Sequence, residues 1–254
     1  MILFLTSSPT GDLDGKYTCE GFDKRHGFAD ELRKVWREDA RVLMVSAFPD
    51  NISANEEMRN FFYAAVIKTG LSCEKFDIWD ARILTDPAAF GKENVQAYDV
   101  IILGGGHVPT QQKFFVQLGL RENLCGFDGI IIAISAGSMN CADIVYAQPE
   151  EAGEAINPDY QRFLRGLGLT GLNILPHYQM GKDSYVDGLR LYQDIVLPDS
   201  KGHKFLAIPD GSFVMEGVGK SRIGADDWMQ PFEAKLFGEG YWISDGKITF
   251  KSSN

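Results

Sequence analysis

The sequence has few cysteines, and they are not spaced like metal ligands or disulfide partners. Only four occur in 254 residues, at Cys19, Cys73, Cys125 and Cys141, and no two of them form a C-x-x-C pair. The four histidines are also scattered, so no cluster with metal-ligand spacing is visible. A zinc site and a disulfide framework are therefore not expected, and neither is a bound metal or cofactor.

Long hydrophobic runs and an excess of basic charge are absent as well. No apolar run approaches the roughly 20 residues that span a bilayer, and no basic region precedes the apolar N-terminus, as it would in a signal peptide. The formal net charge is -10 and the isoelectric point is about 4.9, which disfavours nucleic acid and anionic membranes as partners. These absences favour a cytoplasmic protein that binds neither.

What the sequence does contain is a regular alternation of strand and helix patterns through its first half. Buried strands are predicted at residues 2–5, 41–47, 73–79, 100–103 and 129–134, and helices at residues 28–38, 55–70 and 110–124. This order predicts an α/β fold, a three-layer sandwich with a mainly parallel central sheet and helices on both faces.

The second half of the chain is less regular. Helices are predicted at residues 157–167 and 185–196, strands at 172–175, 205–208 and 212–216, and a C-terminal β-hairpin at 240–243 and 248–251. No repeat, low-complexity tract or linker interrupts the chain. Residues 1–254 are therefore predicted to form a single domain.

One stretch combines a buried strand with a sharp turn. The β-branched run at residues 130–134 ends in Ser135, Ala136 and Gly137, and a helical pattern follows. A serine at such a corner has its hydroxyl raised above the sheet, with backbone N–H groups nearby, which is the geometry that a nucleophile needs. The alternative is that Ser135 only caps the following helix.

A glycine-rich turn ends the preceding predicted strand. Residues 104–106 are all glycine, but they lack the Lys-Ser/Thr of a P-loop and the spacing of a dinucleotide site. Because ligands bind beyond the carboxyl ends of parallel strands, this turn and Ser135 are expected to lie together. The turn is therefore interpreted as a source of backbone N–H donors to an oxyanion opposite Ser135.

Two further residues follow apolar strands and complete a possible catalytic set. His177 comes after a short strand and a proline, where it could act as a general base to Ser135. Asp210, in Ile-Pro-Asp-Gly-Ser, could orient that base. The alternatives are a solvent-facing loop histidine and an ordinary Pro-Asp-Gly turn. The chain order serine, histidine, acid and the lack of G-x-S-x-G disfavour an α/β-hydrolase.

With these motifs the chain resembles the peptidase E (aspartyl dipeptidase) family, which shares the class I glutamine amidotransferase-like fold with cyanophycinase. The resemblance covers most of the chain. It rests on Leu-Phe-Leu-Thr-Ser-Ser at residues 3–8, Ile-Leu-Gly-Gly-Gly at 102–106, Ile-Ser-Ala-Gly-Ser at 134–138, Leu-Pro-His-Tyr at 175–178 and the acidic residue before Gly-Ser at 210–212. It implies a flavodoxin-like sandwich that ends in β-hairpins.

The resemblance also implies roles for individual residues. Ser135 would attack, His177 would be the base and Asp210 would orient it. The oxyanion hole would consist of Ala136 with Gly105 or Gly106.

Three departures from the family pattern concern the substrate and the triad. His107 follows the glycine turn where the family often has asparagine, and it could line the substrate pocket or cap the next helix. Asp210 replaces a glutamate, which shortens its reach to His177 by one methylene. Of the cations expected after the histidine, only Lys182 and Arg190 are present. Arg190 is a candidate substrate-binding residue, although a place on a helix surface fits it better.

The leading hypothesis is a serine peptidase that needs no cofactor and hydrolyses small peptides, with Asp-X dipeptides as the substrates that the resemblance suggests. A small peptide is the expected partner, and a homodimer is kept as an option. The alternatives are a cyanophycinase-like isopeptidase and a non-catalytic ligand-binding member of the fold, with Glu216 or Glu154 as other candidate acids. A glutamine amidotransferase is disfavoured, because Cys141 lies too far into the helix to replace Ser135.

Overall fold

A computed structural model describes residues 1–10, 20–217, 221–223, 227–229 and 232–252 of the chain. Cys19 lies outside the described residues, and Cys73, Cys125 and Cys141 are free thiols. None of the helices in the described ranges is long and apolar enough to cross a membrane.

The chain alternates strands and helices in its first half and is dominated by strands near its C-terminus. The strands are β1 (Ile2–Thr6), β2 (Ala40–Val45), β3 (Cys73–Trp79), β4 (Val100–Leu103), β5 (Ile130–Ile134), β6 (Ile144–Tyr146), β7 (Phe163–Arg165), β8 (Asn173–Leu175), β9 (Tyr185–Val186), β10 (Leu189–Arg190), β11 (Lys204–Ala207), β12 (Phe213–Gly217), β13 (Ser221–Ile223), β14 (Asp227–Met229), β15 (Phe232–Phe237), β16 (Glu239–Ser244) and β17 (Lys247–Ser252). The α-helices are α1 (Phe28–Val35), α2 (Ile52–Lys68), α3 (Lys92–Val95), α4 (Val108–Gln117), α5 (Leu120–Asn123), α6 (Ala136–Asn140), α7 (Tyr178–Gly181) and α8 (Leu197–Asp199). Short 3₁₀ segments lie at Ala81–Thr85 and Pro87–Phe90, and a π-helix lies at Leu191–Val196.

The central sheet has seven strands in the order β15-β12-β1-β5-β4-β2-β3. Strands β1, β5, β4, β2 and β3 are mutually parallel. Strand β12 runs antiparallel to β1, and β15, at the edge, runs antiparallel to β12. The central strands β1, β4 and β5 are buried on both faces because helices cover both. This confirms the predicted α/β sandwich with a mainly parallel central sheet.

Alternate residues of the parallel strands enter two different cores. Phe4 and Ile132 pack with α1 and α2 on one face, whereas Leu5 and Ile131 pack with α4 and α5 on the other. Every residue of β1, β4 and β5 is therefore buried, whereas the edge strand β3 exposes Glu74 and Lys75. The carboxyl ends of β1, β4 and β5 meet at one edge of the sheet.

A second sheet, in the order β17-β16-β11-β8, lies beside the first. Strands β8 and β11 are parallel neighbours, and β16 and β17 form the predicted C-terminal hairpin. A third core joins this sheet to α6 and the π-helix, with Tyr146 stacked on Phe205 at its centre. The pairing of β8 with β11 brings the segments after these two strands together.

Three sequence predictions were wrong or incomplete. The helix predicted at 157–167 does not form, because Phe163–Arg165 pairs with β6 as a strand. The helix predicted at 185–196 begins only at Leu191, because Asp187 and Gly188, both with positive φ, make a hairpin turn between β9 and β10. The helix predicted at 110–124 is divided by Gly119, whose φ of 56° ends α4.

Candidate active site

Ser135 stands at the corner between β5 and α6 in a strained backbone conformation. Its φ is 50° and its ψ is -112°, which side-chain-bearing residues rarely adopt. The turn is tight because α6 packs directly on β4: a Cβ on Gly137 would lie 2.3 Å from the Leu103 carbonyl oxygen. The Ser135 side chain makes no capping hydrogen bond to α6. The corner therefore raises the hydroxyl away from the helix that it begins.

His177 lies within hydrogen-bond distance of the Ser135 hydroxyl. It follows β8 with a φ of 55°, and its Nε2 lies 3.0 Å from the Ser135 Oγ. Its backbone N–H donates to the Oγ of Ser7, at 2.7 Å, directly after β1. The histidine is thus fixed from the second sheet and from the central sheet at once.

Asp210 lies on the other side of the imidazole, with its Oδ1 2.7 Å from the His177 Nδ1. The side chain is 6% exposed and also accepts hydrogen bonds from Ser7 Oγ (2.5 Å) and Gln179 Nε2 (2.6 Å). Burial raises the pKa of Asp210, but these hydrogen bonds and the His177 charge outweigh it and hold the pKa below its ordinary value. The carboxylate is therefore kept ionised.

An aspartate reaches His177 here without a longer side chain because their two strands are neighbours. The Ile208 N–H donates to the Leu175 carbonyl at 2.9 Å, and the Tyr178 N–H donates to the Ile208 carbonyl at 3.2 Å. These bonds extend the β8–β11 ladder almost to the two side chains. The aspartate therefore reaches His177 directly, at 2.7 Å.

The glycine turn lies against the serine. A Cβ on Gly105 would stand 3.3 Å from the Ser135 Cβ, so any side chain there would crowd the nucleophile. A Cβ on Gly106 would instead lie 2.6 Å from the Phe48 ring, and the Gly106 N–H donates to no protein acceptor among the described residues. In the part of the chain that the structure describes, the N–H groups of Gly105 and Ala136 donate to no protein acceptor. These N–H groups are therefore available to an acceptor on a bound molecule.

Two fully buried amides connect this turn to α6. Gln111 on α4 donates from Nε2 to the Gly104 carbonyl at 2.7 Å, and its Oε1 accepts from the Nδ2 of Asn140 at 3.0 Å. Buried hydrogen bonds of this kind are costly to break, because the groups left behind have no water to bind. These hydrogen bonds fix the glycine turn relative to α6.

The predicted substrate residues have hydrogen-bond partners within the protein. His107 bonds to Thr110 and to Glu154, each at 2.8 Å. Arg190 is half-exposed and pairs with Asp194 at 2.6 Å on the strand before the π-helix. No contact with the Ser135 hydroxyl is seen for either residue within the described ranges.

The two alternative acids also have other partners. Glu216 accepts from Thr170 at 2.8 Å, on the antiparallel strand β12. Glu154 is bound to His107. Among the candidate carboxylates, Asp210 is the one that the structure brings to His177.

Sequence reasoning missed three supporting residues: Ser7, Gln179 and Gln111. The only available signal for Ser7 was its position directly after a central strand, where polar residues gather at the edge that holds ligands. Gln179 lies two residues beyond His177, and its Oε1 also accepts from the Asp210 backbone N–H at 3.0 Å. Gln111 resembled a helix-surface residue, because a buried amide cannot be recognised without its partners.

No protein-family model matches the sequence, and no curated protein is significantly similar to it. Solved structures with a similar fold exist. A peptidase from an acI-B1 actinobacterium aligns with a TM-score of 0.62 at 15% identity, over 100% of this chain and 94% of that chain. A protein of Listeria monocytogenes EGD-e named "Putative Peptidase E Protein" aligns with a TM-score of 0.50 at 15% identity, over 100% of this chain and 98% of that one. At this identity the likeness establishes the fold, which agrees with the predicted flavodoxin-like class.

Proposed function

We propose that the protein is a serine peptidase that hydrolyses small peptides through an acyl-enzyme. The observation that carries the proposal is the continuous relay from the Ser135 Oγ through the His177 imidazole to Asp210, with separations of 3.0 Å and 2.7 Å. Two structural neighbours are named peptidases, which agrees with this chemistry. The predicted resemblance to peptidase E points the same way.

In the first step His177 Nε2 accepts the Ser135 proton while Oγ bonds to the substrate carbonyl carbon. The negative charge on the carbonyl oxygen is stabilised by the N–H groups of Gly105 and Ala136. The imidazolium then gives its proton to the leaving amine, which breaks the C–N bond. Water, deprotonated by His177, hydrolyses the resulting ester and regenerates Ser135. Throughout, Asp210 holds the Nδ1–H and stabilises the imidazolium.

Covalent labelling and a peptide panel test this function together. A serine-reactive diphenyl phosphonate should add one group to the purified chain, and peptide mapping should place it on Ser135. Dipeptides and tripeptides, including Asp-X dipeptides, should be cleaved at rates that chromatography can follow. A Ser8→Ala variant, one residue beyond the Ser7 that contacts His177 and Asp210, should label normally. Absence of both an adduct and hydrolysis would favour a ligand-binding protein instead.

A variant of the buried Gln111 can test the role of the glycine turn, because its effect on activity should depend on pH. Glutamate at this position can donate to the Gly104 carbonyl only while its carboxyl group is protonated. Burial raises the pKa of such a group, so the bond survives at acidic pH and is replaced by repulsion between two oxygens as the pH rises. The kcat/KM of Gln111→Glu relative to the unchanged protein should therefore fall with increasing pH, by roughly tenfold.

The control for this experiment is Gln112→Glu. Gln112 is the next residue of α4 and donates to the Arg165 carbonyl at the protein surface. Its pH–rate profile should run parallel to that of the unchanged protein. A parallel profile for Gln111→Glu as well would show that the Gly104 carbonyl does not position the donors.

A further inference from the structure

The Ser7 hydroxyl contacts both members of the His177–Asp210 pair. Ser7 is fully buried, directly after β1, and its Oγ accepts the His177 backbone N–H at 2.7 Å. The same Oγ lies 2.5 Å from the Asp210 Oδ1 and 3.3 Å from the His177 Nδ1. Among the described residues, Ser7 is the one whose side chain hydrogen-bonds both His177 and Asp210. One buried hydroxyl therefore touches the proposed base and its carboxylate together.

The distances around this hydroxyl indicate where the protons lie. The ionised Asp210 carboxylate can only accept hydrogen bonds, and its Oδ1 is 2.7 Å from the His177 Nδ1. The Nδ1–H and the Ser7 O–H therefore both donate to Oδ1, while the Ser7 oxygen accepts the His177 backbone N–H. A neutral imidazole with its proton on Nδ1 has a free lone pair on Nε2. Nε2 is the atom that lies 3.0 Å from the Ser135 Oγ.

Gln179 holds the same carboxylate through its other oxygen. Its Nε2 donates to the Asp210 Oδ2 at 2.6 Å, and its Oε1 accepts the Asp210 backbone N–H at 3.0 Å. Burial raises the pKa of Asp210, and the hydrogen bonds from His177, Ser7 and Gln179 lower it. These two Gln179 bonds fix Asp210 by itself, whereas the Ser7 bonds fix Asp210 relative to the imidazole.

The chain at Thr6 and Ser7 joins the two sheets beside the proposed triad. Thr6 is the last residue of β1, and its carbonyl accepts the Ser135 backbone N–H at 3.0 Å. Ser7, the next residue, accepts the backbone N–H of His177, which follows β8 of the second sheet. Two consecutive residues therefore hold the backbones of the proposed nucleophile and base. The separation of the Ser135 Oγ from the His177 Nε2 depends on this segment.

We infer that Ser7 is a positioning residue of the proposed reaction, which holds His177 at Ser135 with the imidazole proton on Nδ1. The inference rests on the proposed peptidase function and adds a fourth residue to its triad. Ser7 acts through His177 and Asp210, because its hydroxyl is fully buried and is bonded to both.

Ser46 supplies a matched control, because its hydroxyl makes the same kinds of hydrogen bond at another place. It follows β2, is 2% exposed, accepts the Phe48 backbone N–H at 2.9 Å and donates to the Asn55 Oδ1 at 2.6 Å. Ser7→Ala and Ser46→Ala should therefore lower the unfolding temperature to a similar extent. In peptide hydrolysis, Ser7→Ala alone should lower kcat, by about tenfold to hundredfold, with KM nearly unchanged, since a displaced base slows proton transfer more than it weakens binding.

NMR of protein with isotopically labelled histidine nitrogens tests the same role without turnover. The His177 signals can be assigned by their loss in His177→Asn. At a pH where the ring is neutral, they should be those of an imidazole protonated on Nδ1 in the unchanged chain. In Ser7→Ala they should move towards the average of the two tautomers, and in Ser46→Ala they should stay in place.

If alanine prevents folding, Ser7→Cys takes its place, because the thiol occupies a similar position and donates only weakly. The inference is overturned if the His177 signals of the Ser7 variant equal those of the unchanged chain. It is also overturned if the Ser7 variant loses no more kcat than Ser46→Ala. Absence of hydrolysis by the unchanged chain would count against the peptidase function alone, because the NMR signals do not depend on turnover.

Discussion

Replacing Ser135 by alanine should reduce peptide hydrolysis by roughly 10⁴-fold to 10⁶-fold, to the background rate. The substitution removes the only hydroxyl within hydrogen-bond distance of the His177 Nε2 in the described structure. In the proposed mechanism, no covalent bond to the substrate can form without this hydroxyl. The loss should be in kcat rather than in KM, because Oγ contributes little to ground-state binding.

Circular dichroism and thermal unfolding should show that Ser135→Ala folds like the unchanged protein. Ser135→Gly offers a second inactive variant with a distinct expectation. Because φ at this position is 50°, removing the Cβ should relieve strain of about 1 kcal/mol. The glycine variant should therefore unfold at a higher temperature than the alanine variant. Residual hydrolysis above a hundredth of the original rate in both variants would place the nucleophile elsewhere.

Asp210→Asn should lower kcat by about 10³-fold to 10⁴-fold with a small change in KM. An amide at this position presents either an N–H to the His177 Nδ1, which stabilises the wrong tautomer, or a neutral oxygen that supports the imidazolium poorly. The Gln179 Nε2 donates to Asp210 Oδ2 at 2.6 Å, and the amide cannot satisfy both neighbours as the carboxylate does. The phosphonate labelling rate should fall in parallel.

Asp183→Asn is the matched control, since Asp183 lies in the segment after His177 and its side chain is highly exposed. It should retain full activity. If Asp210→Asn kept more than a tenth of the activity, a different group would have to orient His177. Glu216 and Glu154 would then need to leave Thr170 and His107, respectively, to do so.

The same variant has a predictable effect on stability against acid. The pKa of Asp210 is lower in the folded chain than its ordinary value, so the ionised group stabilises the fold above that value. This contribution is lost as the pH falls through the folded pKa. The difference in unfolding free energy between the unchanged protein and Asp210→Asn should therefore shrink on acidification, which denaturant titrations at several pH values can measure.

Much of the central sheet could be predicted because its signals are local. The strands at 73–79 and 100–103 were predicted to the residue. Residues 100–103 are a short apolar run, whereas residues 73–79 combine charged residues with the buried Phe76 and Trp79. The positions of Ser135, His177 and Asp210 followed from where such runs end. Sequence order implies that the glycine turn and Ser135 lie together, since both follow neighbouring parallel strands of the central sheet.

What could not be predicted depends on pairing between distant segments. Nothing in the pattern of residues 204–207 indicates that they pair with residues 173–175 in a second sheet. The apolar residues at 163–165 fit a helix face as well as a strand, and only their pairing with β6 decides between the two. Asn140 and Gln111 read as ordinary polar helix residues, because their burial results from the contact of α4 with α6.

The two sheets divide the residues of the proposed triad between them. Ser135 belongs to the central sheet, whereas His177 and Asp210 leave adjacent strands of the second one. His177 and Asp210 are consequently held together by their own backbone ladder and by Ser7, through contacts that do not involve Ser135. In the proposed mechanism, the base and its carboxylate would therefore keep their places when the side chain at position 135 is changed.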